Sequence, residues 1–307
     1  MTVAGQLGFK TEVTYGTAVT VDLFHTGFLS GNPVREQPPL ISNAIRAGRR
    51  TPSCVSTGAK TVEGTISTEL YVAPLATQLK HMFGTIGTAG AGPYTHTASP
   101  GTTDDKSLTI QVGIPDSSGT VQPFTYKGAK FQGWTLGATA GEIATLELDV
   151  VAQDYVTATA LASASYLSGC PFTFVHGSVS VAGTPLTEVK GFELSCSRPL
   201  RKEHVIGSAL IMKPVEIGRS EYSIEVDTEF TDLTLHDLAN SAVAVVLAFS
   251  DGTNSLTITC NAWVTATTPE VGGEGSVTSF GFSAMPYGST DANAITAVLV
   301  NSEASAA

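Results

Sequence analysis

Apolar and polar residues alternate along most of this chain, which is the pattern of β-strands with one buried face. The clearest case is residues 143–152, where Leu146 and Leu148 would share one face and Glu147 and Asp149 the other. The same alternation recurs at residues 60–72, 107–114, 172–181, 191–197, 220–230, 254–264 and 275–285. Turn-forming sequences separate these segments, so the pattern predicts a mainly β fold.

Two segments have the spacing of short helices instead. Residues 73–83 place Leu75 and Leu79 on one helical face, and residues 231–241 do the same with Leu235 and Leu238. Helices this short are marginal alone, so each is expected to pack across a sheet.

The two predicted helices lie in matching contexts. Each follows an alternating strand, and each is followed by another strand and then by a segment with a single tryptophan, Trp134 or Trp263. The last strand of each series ends in a tyrosine, Tyr155 or Tyr287. This order of elements predicts an internal duplication, with residues 156–169 as a linker of small residues.

Composition bounds the class of protein. A chain of 307 residues suggests about two domains. Hydrophobic residues make up 42% of the chain, enough to fill a hydrophobic core in each domain, whereas charged residues make up only 14%. The usual charged fraction is roughly 25%, so some surfaces are expected to be covered by neighbours. The sequence shows no signal peptide and no apolar run approaching the ~20 residues that span a bilayer, so we expect a protein made in a cytoplasm without membrane contact.

The charge is strongly negative and unevenly placed. With a net charge of −11, the chain is a poor candidate for binding nucleic acid through the phosphates. The same charge is compatible with a surface past which DNA moves, because such a surface should repel DNA. Ten of the 16 basic residues lie in two loop regions at corresponding places in the two halves: Arg35, Arg46, Arg49, Arg50 and Lys60, and Arg198, Arg201, Lys202, Lys213 and Arg219. They are either solvated loops or loops that reach onto the acidic body of a neighbouring copy.

Residues with catalytic or metal-binding potential are scattered. The six histidines are dispersed, and the four cysteines form no close pair, which argues against structural zinc. The sequence has no nucleophile elbow, no H-E-x-x-H and no phosphate-binding loop. We therefore predict no enzyme activity and no catalytic, cofactor-binding or metal site.

The N-terminal phrase "GFKTEVTYGTAVTVD" resembles the start of tailed-bacteriophage major tail tube proteins. The residues that match their Glu-x-Thr-Tyr-Gly-Thr-like motif are Glu12, Thr14, Tyr15, Gly16 and Thr17. The similarity continues through "LSGNPVREQ", "AIRAGRR", "EGTISTELYVAPLATQLKHMFG", "KGAKFQGWTL" and "FTFVHGSVSVAG". It therefore extends over most of the chain, and the order of these motifs is its main support.

The resemblance implies a fold and an assembly. Each unit would be a β-sandwich or barrel with one short flanking α-helix, and six units would make a ring. We expect two tandem units, at residues 1–160 and 161–290, with residues 291–307 as a C-terminal tail. Three chains would then form a pseudo-hexameric ring, or six chains if the duplication is illusory.

The resemblance also implies a function. The chain would be a structural virion protein, assembled in the host cytoplasm, that builds the hollow tail tube for viral DNA ejection. Double-stranded DNA would pass without specific binding, and tape-measure, tail-terminator and distal tail proteins would be partners. Candidate contacts between subunits or rings are Arg35, Arg46, Arg49, Arg50, Arg198, Arg201 and Lys202. Candidate acidic residues facing the lumen are Glu147, Asp149, Glu225, Asp227 and Glu229. The alternative is a virion-decorating or receptor-binding β-sandwich module.

Overall fold

The computed structural model describes residues 5–45, 48–166, 169–270 and 279–304, which form a mainly β structure. In chain order the strands are β1 (Gln6–Thr11), β2 (Leu23–Phe24), β3 (Phe28–Ser30), β4 (Val34–Glu36), β5 (Leu40–Ile41), β6 (Val55–Ser56), β7 (Thr61–Glu69), β8 (Gly84–Ala89), β9 (Tyr94–Pro100), β10 (Leu108–Pro115), β11 (Val121–Thr139), β12 (Thr145–Ala152), β13 (Asp154–Val156), β14 (Gly177–Val181), β15 (Thr184–Leu186), β16 (Val189–Ser197), β17 (Leu200–Arg201), β18 (Val215–Glu216), β19 (Glu221–Glu229), β20 (Ala242–Ser250), β21 (Ser255–Glu270), β22 (Ser279–Pro286) and β23 (Ile295–Asn301). The helices are α1 (Leu75–Phe83) and α2 (Asp291–Ala294), and 3-10 turns occur at Phe174–His176 and His236–Leu238.

Seven antiparallel strands in succession form a central sheet. Their order is β7–β12–β11–β16–β19–β22–β21, and the pairing of β11 with β16 joins the two halves of the chain. The expected alternation of β12 is confirmed, since Leu146 and Leu148 are buried while Glu147 is exposed. Apolar side chains at every second position thus supply one continuous buried face.

Two long strands extend beyond the central sheet and pair with further strands. The first part of β11 pairs with β10 and β13, and β10 pairs onward with β1. Likewise the first part of β21 pairs with β20 and β23, and β20 pairs onward with β14. Large side chains fill the core; Trp134, Phe83 and Phe172 are each at most 2% exposed. Helix α1 packs into this core through Leu75, Leu79, Met82 and Phe83.

Pairing and irregularities recur in the two halves. The order β7–β12–β11 has a counterpart in β19–β22–β21, and in both cases the third strand carries a bulge against the second. These bulges lie between Phe131 and Gly133 and between Val264 and Ala266. A second matching pair of bulges occurs where β3 meets β7 and where β16 meets β19.

This register corrects the expected correspondence of the two tryptophans. Counted from the bulges, Trp263 occupies the place of Lys130, because it pairs with Met285 as Lys130 pairs with Val151. Trp134 lies on the other side of its bulge and is buried, whereas Trp263 is 40% exposed. Each half of the chain therefore contains one tryptophan, but the two tryptophans do not occupy equivalent positions.

Two other expectations differ from the structure. The helix predicted at residues 231–241 is only the 3-10 turn His236–Leu238, and Leu233 is exposed, so the segment has no apolar stripe long enough to hold an α-helix on the core. Residues 291–307 were expected as a tail. Instead, residues 295–301 form β23, which pairs with β21 on one side and β9 on the other.

Candidate functional site

The five acidic residues expected at a lumen lie on one face of the central sheet. Glu147 pairs with Thr135, Thr135 with Ser195, and Ser195 with Ser223. Because side chains two residues apart on a strand share a face, this row places Glu147 on the same side as Glu225. The face therefore carries Glu147, Asp149, Glu225, Asp227 and Glu229.

Small polar residues surround these carboxylates. Thr65 Oγ1 donates to Asp149 at 2.6 Å, and Ser67 Oγ donates to Glu147 at 3.1 Å. The ion pair between Lys190 Nζ and Glu229, at 3.2 Å, partly offsets the charge at one end. The face is thus lined with small hydroxyl-bearing side chains and keeps an excess of negative charge.

Sequence analysis did not assign Glu193 to this face. Glu193 is exposed on β16 and lies directly opposite Glu225 on β19. The signal was present, since Glu193 alternates with Phe192 and Leu194 in a segment that was already assigned as a strand. Identifying its charged neighbour required the strand register.

The candidate basic residues are divided between two hairpins, which have different surroundings. The first hairpin comprises residues 37–60 and connects β4 with its pairing partner β7. The second comprises residues 198–220 and connects β16 with its pairing partner β19. In the first hairpin Arg49 and Arg50 are exposed, and Arg46 lies outside the described residues. Arg35, on β4 just before the first hairpin, holds its guanidinium carbon 4.8 Å from the centre of the Tyr155 ring.

Arg198 is not at the surface, contrary to what its place in a basic loop suggested. Its side chain is only 2% exposed. The guanidinium donates to the Met82 carbonyl at 2.7 Å, in the last turn of α1, and pairs with Glu216 at 3.4 Å. A cation at this position complements the negative end of the helix dipole, so Arg198 ties the second hairpin to α1 within the chain.

The rest of the second hairpin also lies against the first half of the chain. Lys202 Nζ pairs with Glu63 at 2.8 Å, whereas Arg201 is exposed and pairs with Glu203 at 3.5 Å. Lys130 is buried beneath the hairpin and donates to the Pro214 carbonyl at 2.8 Å. Burial lowers the pKa of Lys130 to about 8.

Three histidines are buried in structural positions. His96 contacts Asn301 Oδ1 at 3.0 Å, and His81 contacts Thr11 Oγ1 at 3.1 Å. Burial, reinforced by nearby Lys80, lowers the pKa of His81 to about 3, and burial lowers the pKa of His25 to about 4. Within the described ranges no group of three His, Cys, Asp or Glu side chains is arranged to hold a metal, and no helix is long and apolar enough to cross a membrane.

The N-terminal motif has a structural role. The Glu12 carboxylate is buried and accepts hydrogen bonds from Ser107 Oγ at 2.7 Å, Thr109 Oγ1 at 3.0 Å and the Gly128 amide at 2.8 Å. It also accepts from the Gly16 amide at 2.9 Å. Gly16 has φ +73°, in the left-handed region that favours glycine. The motif therefore fastens the N-terminal segment to β10 and β11.

These features define a structural protein with a broad acidic sheet face. The chain matches the family described as phage tail tube protein over residues 2–294, and it belongs to that family. The resemblance seen in the sequence is thereby confirmed, and the chain is a component of the virion tail. No curated protein matches it.

Proposed function

We propose that the chain associates with copies of itself into rings, which stack into a tube that conducts double-stranded DNA. The observation that carries this proposal is the acidic face, which runs across strands from both halves of one continuous sheet. A strand sheet with one apolar face in the core and one hydroxyl- and carboxylate-bearing face suits the wall of a water-filled channel.

Electrostatics support DNA passage rather than DNA binding. Glu147, Glu193 and Glu225 present negative charge on the face, while Lys190 pairs with Glu229 and Lys202 with Glu63. Phosphates approaching such a wall are repelled, which keeps a passing duplex from adhering.

We further propose that the chain consists of two equivalent units, at residues 1–160 and 161–290. The matching strand orders and the matching bulges support this division. Strand β23 lies beyond the second boundary but pairs with β21, so the second unit is best extended through residue 301.

A ring of three chains follows from the two units. In the central sheet β11 of the first unit pairs with β16 of the second. At the two ends of this sheet, in the described residues, β3 and β4 pair only with β7, and residues 266–270 of β21 pair only with β22. Exposed edges of this kind accept a further strand. Repeating the β11–β16 junction between chains would close six units into a pseudo-hexameric ring, and six chains remain the arrangement expected without duplication.

Other tail components complete the proposed assembly. A tube of stacked rings needs proteins that set its length and close its two ends, which we assign to tape-measure, tail-terminator and distal tail proteins. The exposed arginines at the tip of the first hairpin, Arg49 and Arg50, are suited to contacts with the acidic body of a neighbouring ring.

Genome release tests the proposed channel. Particles built with the Glu147→Lys variant place a ring of cations on the acidic face, and the matched Asp237→Lys variant adds the same charge on the exposed turn between β19 and β20. Release triggered in vitro and followed with a DNA-binding dye should be several-fold slower for Glu147→Lys at low salt and recover as salt is raised. Equal release from the two variants at every salt concentration would contradict a lumenal position for this face.

A further inference from the structure

The two hairpins occupy equivalent positions in the proposed units. The strand before each one pairs in the same register, Arg35 with Val62 and Cys196 with Tyr222, and a proline follows at Pro38 and Pro199. Each hairpin has a short two-stranded base, β5–β6 in the first and β17–β18 in the second. Their environments can therefore be compared position by position.

The second hairpin covers a defined patch of the first unit. Leu200 and Ile211 pack on Val151, and all three are at most 9% exposed. Lys130, which pairs with Val151 across β11 and β12, donates to the Pro214 carbonyl at 2.8 Å. Gln153 Nε2 donates to the Ile211 carbonyl at 3.4 Å. Without this hairpin, Val151 would be an apolar residue on the otherwise polar face of β12.

The corresponding patch on the second unit is exposed and apolar. Trp263 and Met285 pair across β21 and β22 in the places of Lys130 and Val151, and they are 40% and 49% exposed. Tyr287, two residues after Met285 as Gln153 is two after Val151, is 39% exposed and makes an edge contact with Trp263 at 6.2 Å between ring centroids.

The first hairpin has an apolar base to match. Leu40, Ile41 and Val55 are 64%, 49% and 60% exposed. In the pairing of the two bases, Leu40 stands where the second hairpin has Leu200, and Ile41 stands where it has the charged Arg201. An apolar residue has thus replaced a charged one both on the hairpin, at Ile41, and on the patch it would cover, at Trp263.

The first hairpin and that patch lie far apart within one chain. It leaves the central sheet from β4, beyond β7 at one end, whereas Trp263 lies on β21 at the other end. With neighbouring strands about 4.8 Å apart, the intervening strands separate them by on the order of 30 Å. A second copy of the chain, joined at the open edges of the sheet, brings a first hairpin to each exposed patch.

We propose that the base of the first hairpin docks on Trp263, Met285 and Tyr287 of a neighbouring copy in the same ring, as the second hairpin docks on Lys130, Val151 and Gln153 within the chain. This docking rests on the self-association proposed above. It assigns the contact around a ring to the apolar base of the hairpin and leaves its arginine-bearing tip free for the next ring.

A disulfide cross-link tests the docking. Counted back from the strands that follow, Cys54 stands in the first hairpin where Pro214 stands in the second, so it should lie beside Trp263 of the neighbour. In a Cys170→Ser background, which removes the other exposed thiol, Trp263→Cys supplies the partner and copper–phenanthroline the oxidant. We expect covalent oligomers on a non-reducing gel and a linked peptide pair containing positions 54 and 263. Adding Cys54→Ser, or placing the new cysteine at the exposed turn position Ser118 instead, should abolish that link.

Intrinsic fluorescence gives a second readout without a new thiol. Trp134 is buried and Trp263 is exposed in the free subunit, so acrylamide should quench mainly Trp263. Assembly should protect the Trp263 emission from acrylamide. Comparison with the Trp263→Phe variant shows how much of the total emission comes from Trp263. Rings or tubes seen by electron microscopy in which Trp263 stays quenchable and positions 54 and 263 do not link would overturn the docking while leaving self-association intact. A protein that never assembles would overturn the proposed self-association and the docking with it.

Discussion

Glu193 lies directly opposite Glu225 on neighbouring antiparallel strands, and both side chains are exposed on the acidic face of the central sheet. Like charges in this position destabilise a strand pair. Their presence fits the proposed channel, in which the charge would serve the assembled tube rather than the stability of the isolated chain.

The first prediction concerns this pair. Glu193→Gln removes the repulsion and should raise the free energy of unfolding of the subunit by about 0.5 kcal/mol at low salt, with a smaller gain at high salt. Urea unfolding at two salt concentrations measures it. Glu188→Gln makes the same charge change on the exposed segment before β16 and serves as the control. A gain that is equal in both variants would show that only net charge is involved.

The second prediction concerns the buried Arg198. Arg198→Ala leaves Glu216 without its ion-pair partner and the Met82 carbonyl without its donor, so the free energy of unfolding should fall by about 3 kcal/mol. The exposed Arg201→Ala variant should change it by less than about 0.5 kcal/mol. Denaturant titrations of both variants measure the difference. Similar losses in the two would contradict a special role for Arg198 in fixing the second hairpin.

The third prediction concerns pH. The folded protein holds the pKa of His81 at about 3, well below the ordinary value of 6.5, so the unfolded chain binds more protons in the interval between them. Stability from this group is present above pH 6.5 and is lost as the pH falls towards 3, at up to about 1.4 kcal/mol per pH unit. In the His81→Gln variant the unfolding free energy should fall less steeply between pH 6 and pH 4, by up to about 1.4 kcal/mol per pH unit. The control is His236→Gln, at a half-exposed histidine. If the unfolding free energies of the two variants depended on pH in the same way, the prediction for His81 would be wrong.

The fourth prediction concerns the tip of the first hairpin. Reversing charge at Arg46, Arg49 and Arg50 should block the stacking of rings while the subunit stays folded, because these side chains are proposed to contact the next ring. Circular dichroism checks the fold, and electron microscopy counts tubes. Reversal at Lys213 and Arg219, exposed on the second hairpin, is the matched control. Normal tubes from the tip variant would refute the proposed contact.

Local patterns in the sequence predicted the sheet well. Burial of every second residue is set by each strand itself, so the alternation in 143–152 and 220–230 identified β12 and β19 and placed their acids on one side. The helix predicted at residues 231–241 was wrong because Leu235 and Leu238, which do pack against the core, are satisfied by a single 3-10 turn and are too short a stripe for an α-helix.

The sequence alone could not predict which residues pair across distant strands. The two tryptophans looked equivalent, but the strand pairing places Trp263 where the first half has Lys130, and the pairing partners cannot be read from the residue pattern of a single strand. Arg198 looked like its neighbour Arg201, and only the position of α1 beside it explains its burial. Glu193 could have been found by alternation alone, whereas its pairing with Glu225 could not.

The composition of a single ring tests the central claim most directly. Native mass spectrometry of rings released from tubes, together with their rotational symmetry in electron micrographs, counts the chains of 31.7 kDa in each ring. Two equivalent units per chain predict three chains and six similar lobes. A ring of six chains would contradict the account, because each chain would then supply one unit of the ring and not two.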